Sequence, residues 1–279
     1  MIKDATPALG PTTAGRGLLS VETGWGGSVV SRAYATSPLR FLTPRNHGHA
    51  AWIYTSSYGG GLVDGDQILL EIEVADGAAA FISTQASTKI FRSPRGTSAQ
   101  TRGQIGRDAL LVVAPEPVVC FARSRYRQVQ SFDLAPGAAL VLVDWVSSGR
   151  RASGERWAFD DYESRIEVRL EGKLLVHDVL ALRAQDGDLA TRLGRFDVLA
   201  VAFLAGRAIE SAAASLVSRI SEEPIVPHSD RLVAASALPI GGACVRVAGC
   251  SVEDVGRTIR ELLGFLPAVL GDDPWTRKW

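Results

Sequence analysis

The stretch Gly59–Val74 reads GGGLVDGDQILLEIEV and joins a glycine-rich turn to a segment in which apolar and polar residues alternate. From Ile68 to Val74 every second residue is apolar, so these side chains share one face of an extended chain. Glycine permits positive φ and close approach between backbones, which a tight turn before a strand requires. The stretch therefore predicts a turn followed by a β-strand with one buried face.

Three other segments repeat the order strand, turn, strand. They read EVADGAAAF (Glu73–Phe81), DLAPGAALV (Asp133–Val141) and RLEGKLLV (Arg169–Val176). Asp-Gly and Pro-Gly are typical turn dipeptides. Because the spacing between the three segments is not constant, they predict recurrent hairpins rather than a strict solenoid repeat.

Two segments have helical periodicity. The first is the alanine-rich RAIESAAASLVSRI (Arg207–Ile220), and the second begins at Ser251, a plausible N-cap with Asp254 three residues later. The second segment places five apolar side chains on one helix face: Val255, Ile259, Leu262, Leu263 and Leu266. No low-complexity linker divides the chain. We expect one domain over residues 1–279, all-β dominated, with two α-helices toward the C-terminal end and residues 1–14 flexible.

Composition argues against several classes of function. The 279 residues are 46% hydrophobic and carry 30 basic and 30 acidic side chains, a formal net charge of zero. Such a chain lacks the positive charge that nucleic-acid binding requires, and it is expected to be poorly soluble alone. Three cysteines do not make a disulfide framework, which favours a cytoplasmic location. The apolar run Phe196–Gly206 is too short for a membrane span, and the first residues lack the apolar core of a signal peptide.

Common catalytic and metal-binding motifs are absent from the sequence. It contains no phosphate-binding loop, no G-x-S-x-G, no H-E-x-x-H and no C-x-x-C. His47 and His49 are close enough in sequence to form a metal pair, although two ligands without a third also fit a polar loop. Cys120, Cys244 and Cys250 are interpreted as small core residues.

Polar residues within apolar runs are the more informative signal. In GAALVLVDWV (Gly137–Val146), Asp144 shares a face with Leu140 and Leu142. A buried carboxylate needs either a partner, such as Arg150, or a water-filled cavity. The segment FISTQASTKIFRS (Phe81–Ser93) is rich in hydroxyls and is either a hydrogen-bonded turn or the lining of a hydrated passage.

Four segments together resemble the UreD family of urease accessory proteins, called UreH in some organisms. GGGLVDGD (Gly59–Asp66) resembles the family's G-G-L-V-G-G-D, and TQASTKIFRS (Thr84–Ser93) matches its T-Q-A/G-A/S-T-K-I/V-Y-R-S signature. DWVSSGRRASGE (Asp144–Glu155) resembles a later segment with G-R and then S-G-E, and DPWTRKW (Asp273–Trp279) is similar to the C-terminus of some members. The order and approximate spacing agree from about Gly15 to the end of the chain.

The resemblance implies a right-handed β-helical stack of strands with two helices, and a scaffold without catalytic activity. Such a scaffold binds apo-urease and UreF, and through UreF the GTPase UreG, so that nickel reaches the urease active site through an internal hydrated route. No tightly bound cofactor is implied, only nickel in transit. Asp66, Asp144 and Glu155 are the candidate oxygen ligands or polar lining of the route, since carboxylates and water hold Ni(II) more loosely than sulfur or clustered imidazoles.

The turn at Gly59–Asp66 has two interpretations for its carboxylates. Asp64 is expected to cap the turn, whereas Asp66 either caps it or presents an oxygen to the route. Two alternative functions also remain open. A β-rich hydrolase would use Asp66, Asp144 and Glu155 as paired acid–base residues in one pocket, and a generic β interaction module would need only exposed surfaces.

Overall fold

The computed structural model describes residues 14–45, 48–224, 226–239 and 241–276. The predicted flexible segment 1–14 lies outside this part of the chain except for Ala14. Within the described residues the strands are β1 (Gly15–Gly24), β2 (Gly27–Ala35), β3 (Leu39–Leu42), β4 (Ala51–Ser57), β5 (Gln67–Val74), β6 (Ala79–Thr84), β7 (Thr88–Ile90), β8 (Thr97–Ile105), β9 (Leu110–Val113), β10 (Val118–Cys120), β11 (Arg125–Leu134), β12 (Ala139–Ser147), β13 (Asp161–Leu170), β14 (Lys173–Arg183), β15 (Val198–Ala205), β16 (Arg231–Ala237) and β17 (Gly242–Gly249). The helices there are α1 (Leu189–Leu193), α2 (Glu210–Glu222), α3 (Val252–Leu262) and α4 (Leu266–Leu270).

The strands form two large sheets that the chain visits in turn. The first sheet has the order β14-β13-β11-β8-β5-β1-β2, and the main path of the second is β16-β17-β15-β12-β9-β6-β4-β3. Strands β1, β5, β8, β11 and β13 pair in parallel, as do β4, β6, β9 and β12. One pass of the chain consists of a strand of the first sheet, a turn and a strand of the second sheet. The short strands β7 and β10 pair with each other in parallel, and each lies in the chain between one pass and the next. The expectation of an all-β dominated fold is confirmed, while the right-handed β-helical stack stays a prediction.

Tight turns carry the chain from the first sheet to the second after β5, β8 and β11. These turns lie one above the next, because the Gly77 amide donates to the Arg107 carbonyl at 2.8 Å and the Asp108 amide donates to the Pro136 carbonyl at 3.2 Å. Each turn is therefore hydrogen-bonded to the turn of the next pass, and its two flanking strands belong to different sheets.

This arrangement corrects two of the three predicted hairpins. The segments Glu73–Phe81 and Asp133–Val141 are corners between sheets, and only the third, Arg169–Val176, pairs its strands as an antiparallel hairpin. The prediction was wrong because Asp-Gly and Pro-Gly specify a change of direction, not the strand that the chain pairs with afterwards. The continuous apolar run after the first two turns is typical of strands buried on both faces.

The core has two layers separated by the second sheet. Apolar side chains from both sheets fill one layer, and those from the second sheet and the helices fill the other. Strand β12 is buried along its whole length because it contributes to both layers. Its even-numbered residues Leu140 and Leu142 lie between the sheets, whereas Val141 and Val143 face the helices.

The late helices follow the sequence prediction closely. The Ser251 hydroxyl caps α3 by accepting a hydrogen bond from the Asp254 amide at 3.1 Å. The predicted apolar face is buried at all five positions, although Leu266 belongs to the short helix α4. None of the helices that the structure describes is long and apolar enough to cross a membrane.

Candidate functional site

Asp144 lies near the middle of β12, on the face that looks toward the first sheet. It is only 7% exposed and shares this face with Leu140 and Leu142, as the alternation predicted. The physical reason is the two-residue period of a strand, which directs residues 140, 142 and 144 to the same side. A carboxylate is thereby placed between the two sheets.

The partners of Asp144 come from the opposite sheet. The Gln128 amide donates from Nε2 to Asp144 Oδ1 at 2.6 Å, and the Ser164 hydroxyl donates to Oδ2 at 2.6 Å. Gln128 and Ser164 are register partners on β11 and β13, so the parallel pairing itself brings them together. Arg150, the arginine considered as an alternative partner, instead forms an ion pair with Glu155.

Two tyrosines complete the buried polar cluster. The Tyr126 hydroxyl donates to Gln128 Oε1 at 3.3 Å, and Gln128 Nε2 lies 3.4 Å from the Tyr162 hydroxyl. We call Tyr126, Gln128, Asp144, Tyr162 and Ser164 the inner polar cluster. Every member is less than 9% exposed.

The cluster changes the acidity of its members. Burial raises the pKa of Asp144, hydrogen bonds from Ser164 and Gln128 act in the opposite direction, and the charge of Asp178 adds to the rise. Burial also raises the pKa of Tyr126 and of Tyr162, and the nearby charge of Asp144 adds to both shifts. The phenols are thus neutral hydrogen-bonding groups, and Asp144 is the one group of the cluster able to attract a cation.

A first cavity of about 200 Å³ lies between the sheets on one side of the inner polar cluster. Its walls come from successive passes of the chain, so it extends in the direction in which the strands stack. Many of the polar side chains that line it carry a hydroxyl or an amide group. They include Thr55, Ser56, Ser83, Thr84, Ser87, Thr88, Thr101, Tyr126 and Gln128. Most of the wall area is nevertheless apolar, with Leu62, Ile68 and Leu70 among the lining residues, so the presence of water in this cavity stays a prediction.

A second cavity of about 430 Å³ lies on the other side of the cluster. It is mostly apolar, with Leu180, Leu199 and Val201 in its walls, and it also contacts Asp178 and Arg246, an ion pair that joins β14 to β17. Asp144 and its neighbour Trp145 contact both cavities. The carboxylate therefore lies at the wall between two cavities that follow one another along the stack.

The hydroxyl-rich segment Phe81–Ser93 forms the predicted hydrogen bonds and also lines a cavity, while a hydrated passage there stays a prediction. Ser83 Oγ donates to the Ala114 carbonyl at 2.7 Å, and Thr84 Oγ1 accepts a hydrogen bond from the Glu116 amide at 2.8 Å. The same side chains contact the first cavity. Hydrogen bonding between passes and a polar cavity wall are thus properties of the same residues.

Asp66 caps the glycine-rich turn, whereas Asp64, which was expected to cap it, binds Arg95 in another turn instead. Asp66 Oδ2 accepts a hydrogen bond from the Val63 amide at 2.8 Å within the turn, and Asp64 accepts from the amide and from Nε of Arg95, both at 2.8 Å. The glycines are needed because Gly59 and Gly60 have φ of +79° and +72°, and Gly61 packs against the Lys89 carbonyl without room for a Cβ. Asp66 therefore has a structural hydrogen bond, and its part in a nickel route stays a prediction.

Glu155 closes the segment that follows β12. It is paired with Arg150, accepts a hydrogen bond from the Ala122 amide at 3.1 Å, and its side chain is 15% exposed. The Arg150 guanidinium in turn lies over the Phe121 ring at 4.2 Å. The hydrogen bond from Arg150 lowers the pKa of Glu155. Oε2 thus joins this loop to the chain just after β10, and both carboxylate oxygens bind Arg150.

The three predicted ligands, Asp66, Asp144 and Glu155, have separate sets of hydrogen-bond partners. Within the part of the chain that the structure describes, His, Cys, Asp and Glu form no group of three or more that could hold a metal ion. His47 lies outside that part, and His49 Nε2 lies 2.9 Å from the Val269 carbonyl. Cys120 is buried in the core, as expected, and burial raises the pKa of its thiol to about 12.

Gln128, Ser164 and the two tyrosines of the inner polar cluster were missed by sequence reasoning. A signal exists, because Gln128 and Ser164 are polar residues at positions where their strands otherwise direct apolar side chains inward. That signal shows which face a residue occupies, but not which residue lies opposite. Only the pairing of β11 with β13 and the packing of the two sheets bring these groups to Asp144.

Comparison with known proteins agrees with the motifs. A family profile described as "UreD urease accessory protein" matches residues 14–279. A urease accessory protein UreD from Sorangium cellulosum is 47% identical over 266 residues, covering 95% of this chain and 85% of the relative. Urease accessory protein D from Oryza sativa subsp. indica is 32% identical over 98% of this chain and 99% of the relative, and that of Arabidopsis thaliana is 34% identical over 93% and 99%. The chain belongs to the UreD family of urease accessory proteins.

Proposed function

We propose that this protein serves urease maturation in the cytoplasm as a scaffold without catalytic activity. It binds apo-urease and UreF, recruits UreG through UreF, and lets Ni²⁺ pass through its interior to the urease active site. The relatives are named as urease accessory proteins, which supports the general role in maturation. The partners and the internal passage are the finer part of the proposal.

The observation that carries the passage is the pair of cavities that share Asp144. Together they extend between the sheets from β4 and β5 to β14 and β16, along the stacking direction. A carboxylate at their common wall attracts a divalent cation where the two cavities meet. The hydroxyls and amides of the first cavity replace part of the water shell of the ion by weak oxygen contacts.

The ligand chemistry fits passage better than storage. Ni²⁺ is held firmly by imidazole and thiolate groups and more loosely by oxygen. The inner polar cluster offers one carboxylate, hydroxyls and an amide, and Cys120 keeps its proton because burial raises the pKa of its thiol. A cation in this environment exchanges readily with water.

The hydrolase alternative, with its predicted residues, is not favoured by the geometry. It requires two of them in one pocket, one as acid and one as base. Asp144 contacts the cavities, whereas Asp66 caps a turn and Glu155 is paired with Arg150. The other carboxylates that line the cavities are Glu116 in the first and Asp178, paired with Arg246, in the second.

Complementation of a strain that lacks its own UreD tests the proposal. The wild-type chain restores nickel to urease, and Asp144→Asn lowers the nickel content at least about fivefold because the cation loses its charged contact. Asp186→Asn, the same substitution at an exposed position, is the matched control and leaves the nickel content unchanged. Affinity purification measures assembly in parallel, and both variants retain UreF and urease.

The partner part of the proposal has its own test. Alone, the neutral chain is mostly insoluble, and co-expressed UreF increases the soluble fraction by covering exposed strand edges and apolar side chains. A monodisperse chain that is indifferent to UreF contradicts this part. Normal nickel content with Asp144→Asn contradicts the passage, and failure of that variant to assemble shows that Asp144 is structural.

A further inference from the structure

The wall between the two cavities is made of hydrogen-bonded side chains. Gln128 contacts only the first cavity, Tyr162 contacts only the second, and Asp144 contacts both. Gln128 Nε2 lies 2.6 Å from Asp144 Oδ1 and 3.4 Å from the Tyr162 hydroxyl, so the amide reaches across the wall. In this arrangement the cavities are adjacent but separated by the inner polar cluster.

The orientation of the Gln128 amide follows from its neighbours. An ionised carboxylate only accepts hydrogen bonds, so the NH₂ group and not Oε1 must face Asp144. Oε1 accordingly faces the Tyr126 hydroxyl, which donates to it. The amide hydrogens thus occupy the oxygen of Asp144 that a cation coming from the first cavity would approach.

A half-turn of the amide reverses these roles. The terminal torsion of glutamine is broad and roughly two-fold, and a hydroxyl either donates or accepts. After the half-turn, Nε2 donates to the Tyr126 oxygen, while Oε1 and Asp144 together face the cation. The Ser164 hydroxyl keeps its bond to Oδ2 in both states. In the arrangement shown, Nε2 contacts Asp144 Oδ1, Ser164 Oγ at 2.9 Å and the Tyr162 hydroxyl, and the half-turn gives up these three contacts for one to Tyr126. The turned arrangement therefore needs a cation to compensate for the lost hydrogen bonds.

We propose that the side-chain amide of Gln128 is the gate of the passage, closed when Nε2 binds Asp144 and opened when a divalent cation replaces it there and the amide turns its oxygen toward the ion. The proposal rests on the proposed function, because it concerns regulation of the same passage. It assigns Gln128 a positioning role: it holds the path shut in the absence of a cation, and it supplies an oxygen contact when one arrives.

Gln128→Leu tests the gate in cells. Leucine retains most of the bulk in the wall but offers no oxygen, so nickel delivered to urease falls about tenfold while the complex still assembles. The matched control is Gln104→Leu, the same substitution on the exposed outer face of neighbouring strand β8, and it delivers nickel within about twofold of wild type. Wild-type delivery by Gln128→Leu overturns the gate.

Gln128→Glu supplies a readout that does not depend on urease. Glutamate has the same shape and places a second carboxylate opposite Asp144, so equilibrium dialysis with Ni²⁺ shows a Kd at least about tenfold lower than wild type for the chain co-purified with UreF. The gain in affinity is lost when Asp144→Asn is added to Gln128→Glu. The double variant also measures how much Ni²⁺ the co-purified UreF binds by itself. A purely structural glutamine gives no gain in affinity.

The two experiments separate the proposals. If Gln128→Leu does not assemble, the Gln128→Glu measurement decides alone, and an unchanged Kd overturns the gate. If the wild-type chain does not restore nickel to urease, the proposed function fails, while the Kd of Gln128→Glu still decides whether Gln128 faces a cation site. Equal loss of delivery in Gln128→Leu and Gln104→Leu also overturns the gate.

Discussion

Replacing Asp144 with asparagine removes a buried charge and keeps nearly the same shape. The present carboxylate has lost most of its contact with water and accepts two short hydrogen bonds, from Gln128 and Ser164. Asparagine keeps one of these bonds through its Oδ1, and its amide group faces the Ser164 hydroxyl, which turns to accept. The substitution therefore tests whether the charge stabilises the fold or is retained for another reason.

The expected magnitude follows from opposing contributions. Burial of an ionised carboxylate costs several kcal/mol, and two charge-assisted hydrogen bonds return about 2 kcal/mol each. A buried neutral amide costs about 2 kcal/mol and its two bonds return about 1 kcal/mol each. We expect Asp144→Asn to be stabilising near neutral pH by about 1 kcal/mol, or about 2–4 °C in Tm.

The pH dependence has a definite sign. Burial raises the pKa of Asp144 above its ordinary value of 3.8, so the folded protein holds this proton to higher pH than the unfolded chain. The contribution of this proton to stability is complete below about pH 4 and is lost as the pH rises through the raised pKa. The advantage of Asp144→Asn over wild type therefore grows from acidic to neutral pH.

Urea unfolding of both proteins at several pH values between about 4 and 8 measures this difference. Asp144→Leu is the control for shape, because it removes the acceptor of the Ser164 hydroxyl and one acceptor of the Gln128 amide and costs about 2–3 kcal/mol. A loss of stability with Asp144→Asn at pH 8, or a difference independent of pH, refutes the reasoning. Greater stability together with lower nickel delivery indicates that the carboxylate is retained for function.

Three further predictions concern other parts of the chain. Glu155→Gln weakens the pair with Arg150 and lowers the free energy of unfolding by about 1–2 kcal/mol at pH 7. Because that pair lowers the pKa of Glu155, the loss disappears as the pH falls below about 4. An equal loss at about pH 3 in chemical denaturation contradicts this. Gly206→Ala lowers the free energy of unfolding in urea by about 3 kcal/mol, because φ is +111° and a Cβ would collide with the Ala138 carbonyl. A loss below about 1 kcal/mol shows that the backbone of the second sheet shifts to make room. In equilibrium dialysis the wild-type chain binds Ni²⁺ with a Kd of about 1 μM or weaker, and His49→Ala changes urease activation little. A nanomolar site that is lost in His49→Ala contradicts the oxygen-lined passage and indicates a storage site instead.

The local elements were predictable from the sequence because their causes are local. Alternation from Ile68 to Val74 specifies a strand with one buried face, and β5 has that burial pattern at every position. Ser251 and Asp254 specify the start of a helix, and α3 begins there. In each case the deciding interactions join residues at most a few positions apart.

The arrangement of strands was not predictable in the same way. The turns at Ala75–Ala78 and Ala135–Ala138 have the same local chemistry as hairpin turns, yet they lead into a different sheet. What decides is the parallel pairing of each strand with the corresponding strand of the next pass, and that pairing joins residues distant in sequence. Turn chemistry alone contains no information about it.

For the candidate site too, the sequence determined some features and the tertiary structure determined the others. The sequence by itself placed Asp144 on an inward face and required a partner or a wet cavity, because a lone buried charge is costly. It also carried the motifs by which the family was identified. The tertiary structure alone decided that the partners are Gln128 and Ser164 rather than Arg150, and that two cavities meet at this carboxylate. The physical reason is that a strand fixes the face of its own side chains, whereas the register of one sheet against the other fixes what those side chains meet.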